Sequence, residues 1–218
     1  MAVLPERVQV VEEAFRKKNM HSDNLIMIFV RNPELGKVKT RLAKTIGNEK
    51  ALHIYNLLLD HTNKVSKRVN ADKAIFYSDY INDTDQWKND GFIQLMQKGN
   101  DLGEKMSNAF LIAFSMGYKK VIIIGSDCFD LSEDIITDAF NLLDENEVVL
   151  GPAKDGGYYL LGMKTFYASL FQNKVWSTEN VLLDTLLDLS NLNVSSKLLP
   201  TLSDIDEEKD LLQYQNLI

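Results

Sequence analysis

Short apolar runs separated by longer amphipathic stretches characterise the chain from residue 24 onward. The first run, at 25–30, is followed closely by Pro33, which cannot donate to a sheet ladder and marks its end. Runs of this length, bounded by turn residues, are typical of strands buried on both faces. The pattern predicts six further strands, at 73–78, 92–96, 121–124, 148–150, 158–163 and 196–199.

Between the strands, apolar residues recur every three or four positions, which predicts amphipathic helices. We expect helices over 38–46, 48–69, 102–116, 132–143 and from about 177, with a last one near the C-terminus. Ser132 is expected to cap its helix, as are Asn48 and either Ser177 or Thr178. Alternating strands and helices predict a three-layer α/β/α fold with a mostly parallel, Rossmann-like sheet. One antiparallel excursion is expected around residues 150–163.

Length and composition favour one folded domain. With 218 residues, of which 45% are hydrophobic, the chain is long enough for a single α/β core. We assign residues 24–218 to that domain and residues 1–23 to a helical extension, because short apolar groups alternate there with charge. No apolar run approaches the roughly 18 residues of a membrane span, and no signal-peptide order is visible. A single cysteine, Cys128, excludes an intramolecular disulfide. We therefore expect a cytoplasmic protein.

Charge indicates the kind of partner. The formal net charge of −7 argues against nucleic acid, whose phosphate backbone attracts basic surfaces. Between residues 31 and 50, however, six basic residues stand against two acidic ones. Such a local basic patch suits a small anionic ligand rather than a polymer.

The basic loop, residues 31–42, lies between the first strand and the first helix, where doubly wound folds hold phosphates. Its candidate phosphate-binding residues are Arg31, Gly36, Lys37, Lys39, Thr40 and Arg41. The loop is not a P-loop, because Gly36-Lys37 is followed by Val38 where Ser or Thr is needed. The alternative is a solvated basic helix start without a ligand.

Two acidic loops follow predicted strands. Asp127 and Asp130 come directly after the strand at 121–124, and ligands of open α/β sheets bind beyond the carboxyl ends of strands. Both carboxylates are candidate ligands for a divalent cation, although Asp130 could instead cap the next helix. Asp127 has no such local explanation, and an unpaired buried acid is costly.

The second acidic loop, residues 151–157, contains Asp155-Gly156-Gly157. Asp-Gly is a favoured hairpin turn, so a purely structural role is one interpretation. The functional alternative is that the glycines let a ligand approach the backbone while Tyr158 or Tyr159 contacts a sugar or base.

Two further features complete the candidate chemistry. Trp176 is by default a core aromatic residue. In the acidic segment, residues 204–210, Asp204 or Asp206 is a candidate second metal ligand. The alternative is a solvated helix start, where acidic side chains match the helix dipole.

Five ordered segments, at 29–42, 125–131, 151–160, 176–178 and 204–206, together resemble a bacterial family of GT-A-type nucleotide-diphospho-sugar transferases. They are also similar to 2-phospholactate guanylyltransferase and, more distantly, to molybdenum-cofactor guanylyltransferase. The resemblance implies that the basic loop holds nucleotide phosphates and that Asp127 binds Mg²⁺ or Mn²⁺. It places the loop with Asp155, Gly156 and Gly157 on the acceptor or sugar side, with Tyr158 and Trp176 nearby. One departure is Phe129, where the family usually has proline.

These observations favour a metal-dependent nucleotide-sugar transferase that uses a nucleotide-sugar donor and a small-molecule acceptor. Asp127, with Asp206, would hold a divalent ion, and Lys37, Lys39 and Arg41 would neutralise the leaving diphosphate. Asp155 would orient or deprotonate the acceptor hydroxyl. A nucleotidyltransferase that releases pyrophosphate is the alternative, and a nucleotide-binding module without turnover is a third possibility.

Overall fold

The computed structural model describes residues 22–214, so the helix expected within residues 1–23 falls almost entirely outside the described part of the chain. Seven strands form one sheet in the order β3-β2-β1-β4-β6-β5-β7. They are β1 Asn24–Val30, β2 Asp72–Tyr77, β3 Ile93–Met96, β4 Lys120–Ile124, β5 Val148–Pro152, β6 Tyr158–Met163 and β7 Ser196–Leu198. Strand β6 runs antiparallel to β4 and β5, and the other neighbours are parallel. The predicted parallel sheet with one antiparallel excursion is confirmed.

The described part of the chain contains six α-helices: α1 Thr40–Ile46, α2 Asn48–Arg68, α3 Gln86–Asn89, α4 Leu102–Ser115, α5 Glu133–Glu145 and α6 Val181–Asn191. Two 3₁₀ helices cover Ala168–Phe171 and Glu208–Tyr214. The helix expected near the C-terminus is therefore the second of these 3₁₀ helices. Among residues 22–214, no helix combines the length and the apolar content that crossing a membrane requires.

The two faces of the sheet bury separate apolar layers, as the alternation of side chains along a strand demands. On β1, Ile26 and Ile28 join the layer under α2 and α5, while Leu25 and Met27 join the layer under α4 and α6. All four of these side chains are fully buried. Cys128 is a free, buried thiol on the α2 side. The predicted three-layer α/β/α architecture is thus confirmed.

The observed helix starts agree with the caps predicted from the sequence only in part. The Ser132 hydroxyl accepts a hydrogen bond from the Ile135 N–H at 3.3 Å, so this cap is confirmed. Helix α2, in contrast, begins at Asn48 itself, with Gly47 in the capping position. Helix α6 begins at Val181 behind Asn180, so the caps expected at Asn48 and at 177–178 are wrong. The second error arises because the backbone just before α6 is held against Gly156.

The order of the strands in the sheet determines where a ligand-binding crevice can form. The chain passes from β1 to β2 on one side, whereas β4 pairs with β1 on the other. The loops after β1 and β4 therefore leave the sheet in opposite directions and open a crevice between them. Such a reversal of strand order is where open α/β sheets bind their ligands.

Candidate active site

Lys39 is at the centre of the candidate site. Its Nζ donates to Asp127 Oδ2 at 3.0 Å and to Asp206 Oδ1 at 2.9 Å. The lysine side chain is only 5% exposed. Burial lowers the pKa of Lys39, but the charges and hydrogen bonds of the two carboxylates outweigh this and leave it raised. The ammonium therefore stays charged and joins the loops after β1 and β4 to the acidic segment.

The backbone turns Lys39 inward. Lys39 has the left-handed values φ 46° and ψ 45° and precedes α1 without capping it through its side chain. A non-glycine residue in this region is uncommon, and such strain clusters at functional sites. The preceding turn contains Gly36 at φ 75° and a hydrogen bond from the Lys37 N–H to the Glu34 carbonyl at 3.0 Å. The loop after β1 is thus bent so that one lysine faces the acids.

Asp206 reaches the site on the acidic segment. The Ile205 N–H donates to the Asp127 carbonyl at 3.1 Å, which aligns this segment with the loop after β4. Asp210 Oδ2 accepts from the N–H groups of Asp206 at 3.0 Å and Glu207 at 2.8 Å. These bonds turn the backbone and leave the Asp206 side chain free to meet Lys39. The acidic segment therefore brings Asp206 to Lys39, and its exposed residues Glu207 and Glu208 also lie at the start of a 3₁₀ helix.

The Phe129 ring packs between helix α2 and the 3₁₀ helix that ends at Tyr214. Its ring stacks on His61 with centroids 4.5 Å apart and contacts Tyr214 edge-on at 5.4 Å. Burial and the carboxylate of Asp130 raise the pKa of the Tyr214 hydroxyl, so Asp130 interacts with Tyr214. Phe129, which departs from the proline usual in the resembling family, therefore packs the 3₁₀ helix Glu208–Tyr214 against α2. The resemblance identified Phe129 as unusual, but the sequence did not predict its contacts with His61 and Tyr214.

Asp204 is a buried acid with unused hydrogen-bonding capacity. Its Oδ1 is inaccessible to solvent and has no hydrogen-bond partner among the described residues. Burial, followed by the charges of Asp127 and Asp155, raises the pKa of Asp204 to about 8, although Lys39 opposes the shift. Burial at this position therefore favours the neutral form of the Asp204 carboxyl. Because the charge of Asp155 contributes to this shift, the Asp155 carboxylate is close enough to act electrostatically on Asp204.

The donor set fits a divalent cation. Magnesium is usually held by one or two carboxylates, with substrate phosphates completing its shell. Asp127 and Asp206 supply two carboxylates that already converge on one ammonium, and the unpartnered Asp204 oxygen lies close by. Within residues 22–214, no three acidic, histidine or cysteine side chains form a preassembled metal site. A bound ion would therefore also need phosphate oxygens from a bound substrate.

The remaining residues of the basic loop divide into two groups. Arg41 Nη1 lies 3.9 Å from Asp206 Oδ2, and its side chain is 66% exposed, so it borders the site. Lys37 pairs instead with Glu34 at 2.6 Å and is 71% exposed. Arg31, Gly36 and Thr40 are exposed along the same edge. Of the predicted phosphate ligands, Lys39 and Arg41 thus lie next to Asp206. Lys37 instead forms an ion pair with Glu34 within the loop after β1.

The loop with Asp155 is a hairpin turn between the paired strands β5 and β6. Asp155 Oδ1 accepts the Gly157 N–H at 2.9 Å and thereby closes the turn. Gly156 has φ 89°, and an added Cβ there would lie 2.0 Å from the Glu179 carbonyl oxygen. The structural interpretation of this loop therefore holds. The exposed Asp155 carboxylate acts electrostatically on Asp204, and its role toward an acceptor stays a prediction.

The aromatic residues predicted for the acceptor side contribute to the core. The Tyr158 hydroxyl interacts with Thr185 of α6, and burial raises its pKa. The Trp176 indole lies against Gly103 at the start of α4, where an added Cβ would be 2.2 Å from its Nε1. Both rings pack on the apolar layer under α4 and α6. The structure does not bring either ring to the acidic cluster.

Tyr55 is a site residue that sequence reasoning missed. Its hydroxyl donates to the Arg31 carbonyl at 3.0 Å, accepts from the Arg31 N–H at 2.9 Å and lies 3.3 Å from Ser126 Oγ. One phenol on α2 thus links the ends of β1 and β4. Tyr55 fits the apolar stripe of α2, and nothing in that periodicity indicates where its hydroxyl points.

Tyr55→Phe is expected to lower the free energy of unfolding by about 1–2 kcal/mol, because two backbone groups of Arg31 lose their partner. The expected readout is a lower urea midpoint with an unchanged slope. Ser126→Ala is the matched control, since it removes only the longer contact at 3.3 Å and should cost less. Equal costs for the two variants would contradict the bridging role of Tyr55.

Fold and site together define an α/β protein of the nucleotide-diphospho-sugar transferase fold class. The chain is 32% identical to a protein of Desulfovibrio desulfuricans G20, provisionally described as a nucleotide-diphospho-sugar transferase, with a TM-score of 0.81. The match covers 90% of this chain and 88% of that one.

The chain belongs to the bacterial family described as "Uncharacterized protein conserved in bacteria (DUF2064)", which matches residues 61–178. The resemblance drawn from the five sequence segments is thus confirmed. No curated protein matches the chain.

More distant solved structures share the fold alone. One is 4-diphosphocytidyl-2C-methyl-D-erythritol synthase of Anaerococcus prevotii DSM 20548, at 11% identity and a TM-score of 0.58, covering 95% of this chain and 99% of that one. Another is glucosyl-3-phosphoglycerate synthase of Mycobacterium tuberculosis, in complex with Mg²⁺ and uridine diphosphate. It is 11% identical with a TM-score of 0.52 and covers 97% of this chain and 80% of that one.

Proposed function

We propose that the protein is a metal-dependent nucleotide-sugar transferase that moves a sugar from a nucleoside diphosphate sugar to a small-molecule acceptor. The observation that carries the proposal is the Lys39, Asp127 and Asp206 cluster at the reversal of strand order. A site for a metal-bound diphosphate needs carboxylates for the cation and fixed positive charge for the phosphates. The relative of 32% identity, provisionally described as such a transferase, supports the same assignment.

Each residue has a distinct role in this proposal. Asp127 and Asp206 would hold the divalent ion, and Asp204 is a candidate third ligand that would have to lose its proton first. A bound Mg²⁺ or Mn²⁺ would supply Lewis-acid neutralisation of the diphosphate. Lys39 and the exposed Arg41 contact the phosphates and stabilise the charge that develops as the diphosphate leaves. Asp155, at the edge of the cluster, orients the acceptor hydroxyl or accepts its proton.

A nucleotidyltransferase is the second candidate. The same cationic and acidic groups would stabilise a departing pyrophosphate when a phosphorylated acceptor attacks an α-phosphate. Lys39 lies between Asp127 and Asp206 and Arg41 lies beside Asp206, an arrangement that would stabilise either leaving group. The nature of the leaving group therefore decides between the two reactions.

A thermal-shift panel tests the proposal. Purified protein is melted with nucleoside triphosphates and with nucleotide sugars, each with Mg²⁺, with Mn²⁺ or with a chelator. A ligand at 100 times its dissociation constant stabilises the folded state by about 2.7 kcal/mol. Stabilisation by a nucleotide sugar that requires metal, followed by release of the nucleoside diphosphate, is the expected result. Stabilisation by one triphosphate with pyrophosphate release supports the second candidate, and no response to any nucleotide contradicts both.

A further inference from the structure

We infer that Lys39 holds the place of the divalent cation in the ligand-free protein and transfers to the nucleotide's phosphates when the metal complex binds. This inference rests on the proposed function and adds a coupling between the two ligands. In this arrangement the metal alone binds weakly, because it must displace an ammonium whose only partners among the described residues are Asp127 and Asp206. The metal together with a diphosphate binds well, because the phosphates receive the displaced lysine.

The geometry leaves room for one cation between the acids. Lys39 Nζ lies 3.0 Å from Asp127 Oδ2 and 2.9 Å from Asp206 Oδ1. A magnesium ion that used the same two oxygens would take over the acceptors that the Lys39 ammonium now holds, and two cations so close together would repel one another. We therefore expect metal binding at these oxygens to displace Lys39.

Displacement has an energetic consequence. The Lys39 side chain is 5% exposed, whereas those of Asp127 and Asp206 are about 40% exposed. Removing the partners of a buried charge is far more costly than removing those of an exposed one. A metal ion can reach the acids from solvent, but the lysine must find a new anion to remain charged. Phosphate oxygens of a bound nucleotide are such an anion.

The side chain of Lys39 permits the movement. The lysine stem has four rotatable carbons and carries its charge as a compact point. The nearby Arg41 is 66% exposed and already 3.9 Å from Asp206, which leaves a positive charge at the edge of the acid pair throughout.

The decisive measurement is Mn²⁺ binding without nucleotide, followed by electron paramagnetic resonance. Lys39→Met keeps the length of the side chain and removes the charge, and it is expected to bind Mn²⁺ about 5- to 150-fold more tightly than the parent protein, the usual range of coupling between sites. A purely structural role for Lys39 predicts the opposite, because loosened carboxylates would bind metal less well.

Lys37→Met is the matched control. It removes one positive charge from the same loop, but Lys37 pairs with Glu34 and not with the acid cluster, so Mn²⁺ affinity should be nearly unchanged. Unchanged or weaker Mn²⁺ binding by Lys39→Met overturns the inference, as does an equal gain in Lys37→Met. If Lys39→Met does not fold, as judged by circular dichroism, Lys39→Gln replaces it under the same criterion.

The failure of this inference can be told apart from the failure of the proposed function. With pyrophosphate present, Mn²⁺ should bind the parent protein more tightly than Mn²⁺ alone, and Lys39→Met should lose most of that difference. Loss of the coupling with nucleotide stabilisation intact refutes only the role of Lys39. Absence of any nucleotide response in the parent protein refutes the proposed function, whereas a gain of Mn²⁺ affinity in Lys39→Met would still support the exchange of cations.

Discussion

Asp127→Asn is expected to abolish the metal-dependent stabilisation by nucleotide and to reduce transferase activity about 100-fold or more. Asparagine keeps the shape of the side chain and an acceptor oxygen, but it removes the charge that attracts the cation. Lys39 retains its contact with Asp206 at 2.9 Å, so the fold should persist. The measurement is the thermal shift with nucleotide and Mg²⁺ minus the shift with nucleotide and chelator.

Asp130→Asn is the matched control for Asp127→Asn. Asp130 lies three residues further along the same loop, is exposed and interacts with Tyr214. Its substitution should leave the metal-dependent shift intact, which also tests whether Asp130 is a metal ligand. Normal nucleotide binding by Asp127→Asn, or equal losses in the two variants, would show that the central carboxylate has been misassigned.

Gly156→Ala is expected to lower the free energy of unfolding by about 2–4 kcal/mol, from positive φ and steric overlap together. The residue has φ 89°, and an added Cβ would lie 2.0 Å from the Glu179 carbonyl oxygen. The loop after β5 and the start of α6 would have to separate, which also strains the hydrogen bond from the Leu182 N–H to the Gly156 carbonyl at 2.9 Å.

Gly117→Ala measures the conformational part of that effect alone. Gly117 has a similar φ of 95°, but an added Cβ would meet no atom within 4 Å. Its cost should be only the conformational one, about 1 kcal/mol. Urea unfolding of both variants gives the difference directly. Similar costs at the two positions would mean that the packing of Gly156 on Glu179 does not constrain the loop.

The fold was largely predictable from the sequence because buried parallel strands leave an unambiguous signal. Runs such as 121–124 have no polar position, and each predicted strand exists within a few residues of its expected bounds. Helix starts were less predictable. Whether a residue caps a helix depends on backbone angles, and tertiary contacts can override the local preference. At α6, the packing of Gly156 against Glu179 has more influence on where the helix starts than the capping preference of Ser177 or Thr178 has.

The candidate site was predictable as a set of loops but not as a set of contacts. Asp127 and Asp206 could be proposed from their positions after a strand and within an acidic run. The sequence did not distinguish Lys39 from Lys37, because only the left-handed backbone at Lys39 turns one of them inward. The roles of Tyr55 and Phe129 depend on where an aromatic ring points, and periodicity does not contain that information.

The span of the Lys39 to Asp206 contact bears on folding kinetics. The two residues are 167 positions apart, and Lys39 and Asp127 are 88 apart. Contacts between such distant segments form late, because the entropy of closing a long loop must first be offset by other native structure. Interactions that are absent from the folding transition state act mainly on the unfolding rate. A bound nucleotide should therefore prolong the lifetime of the native state and leave its rate of formation nearly unchanged.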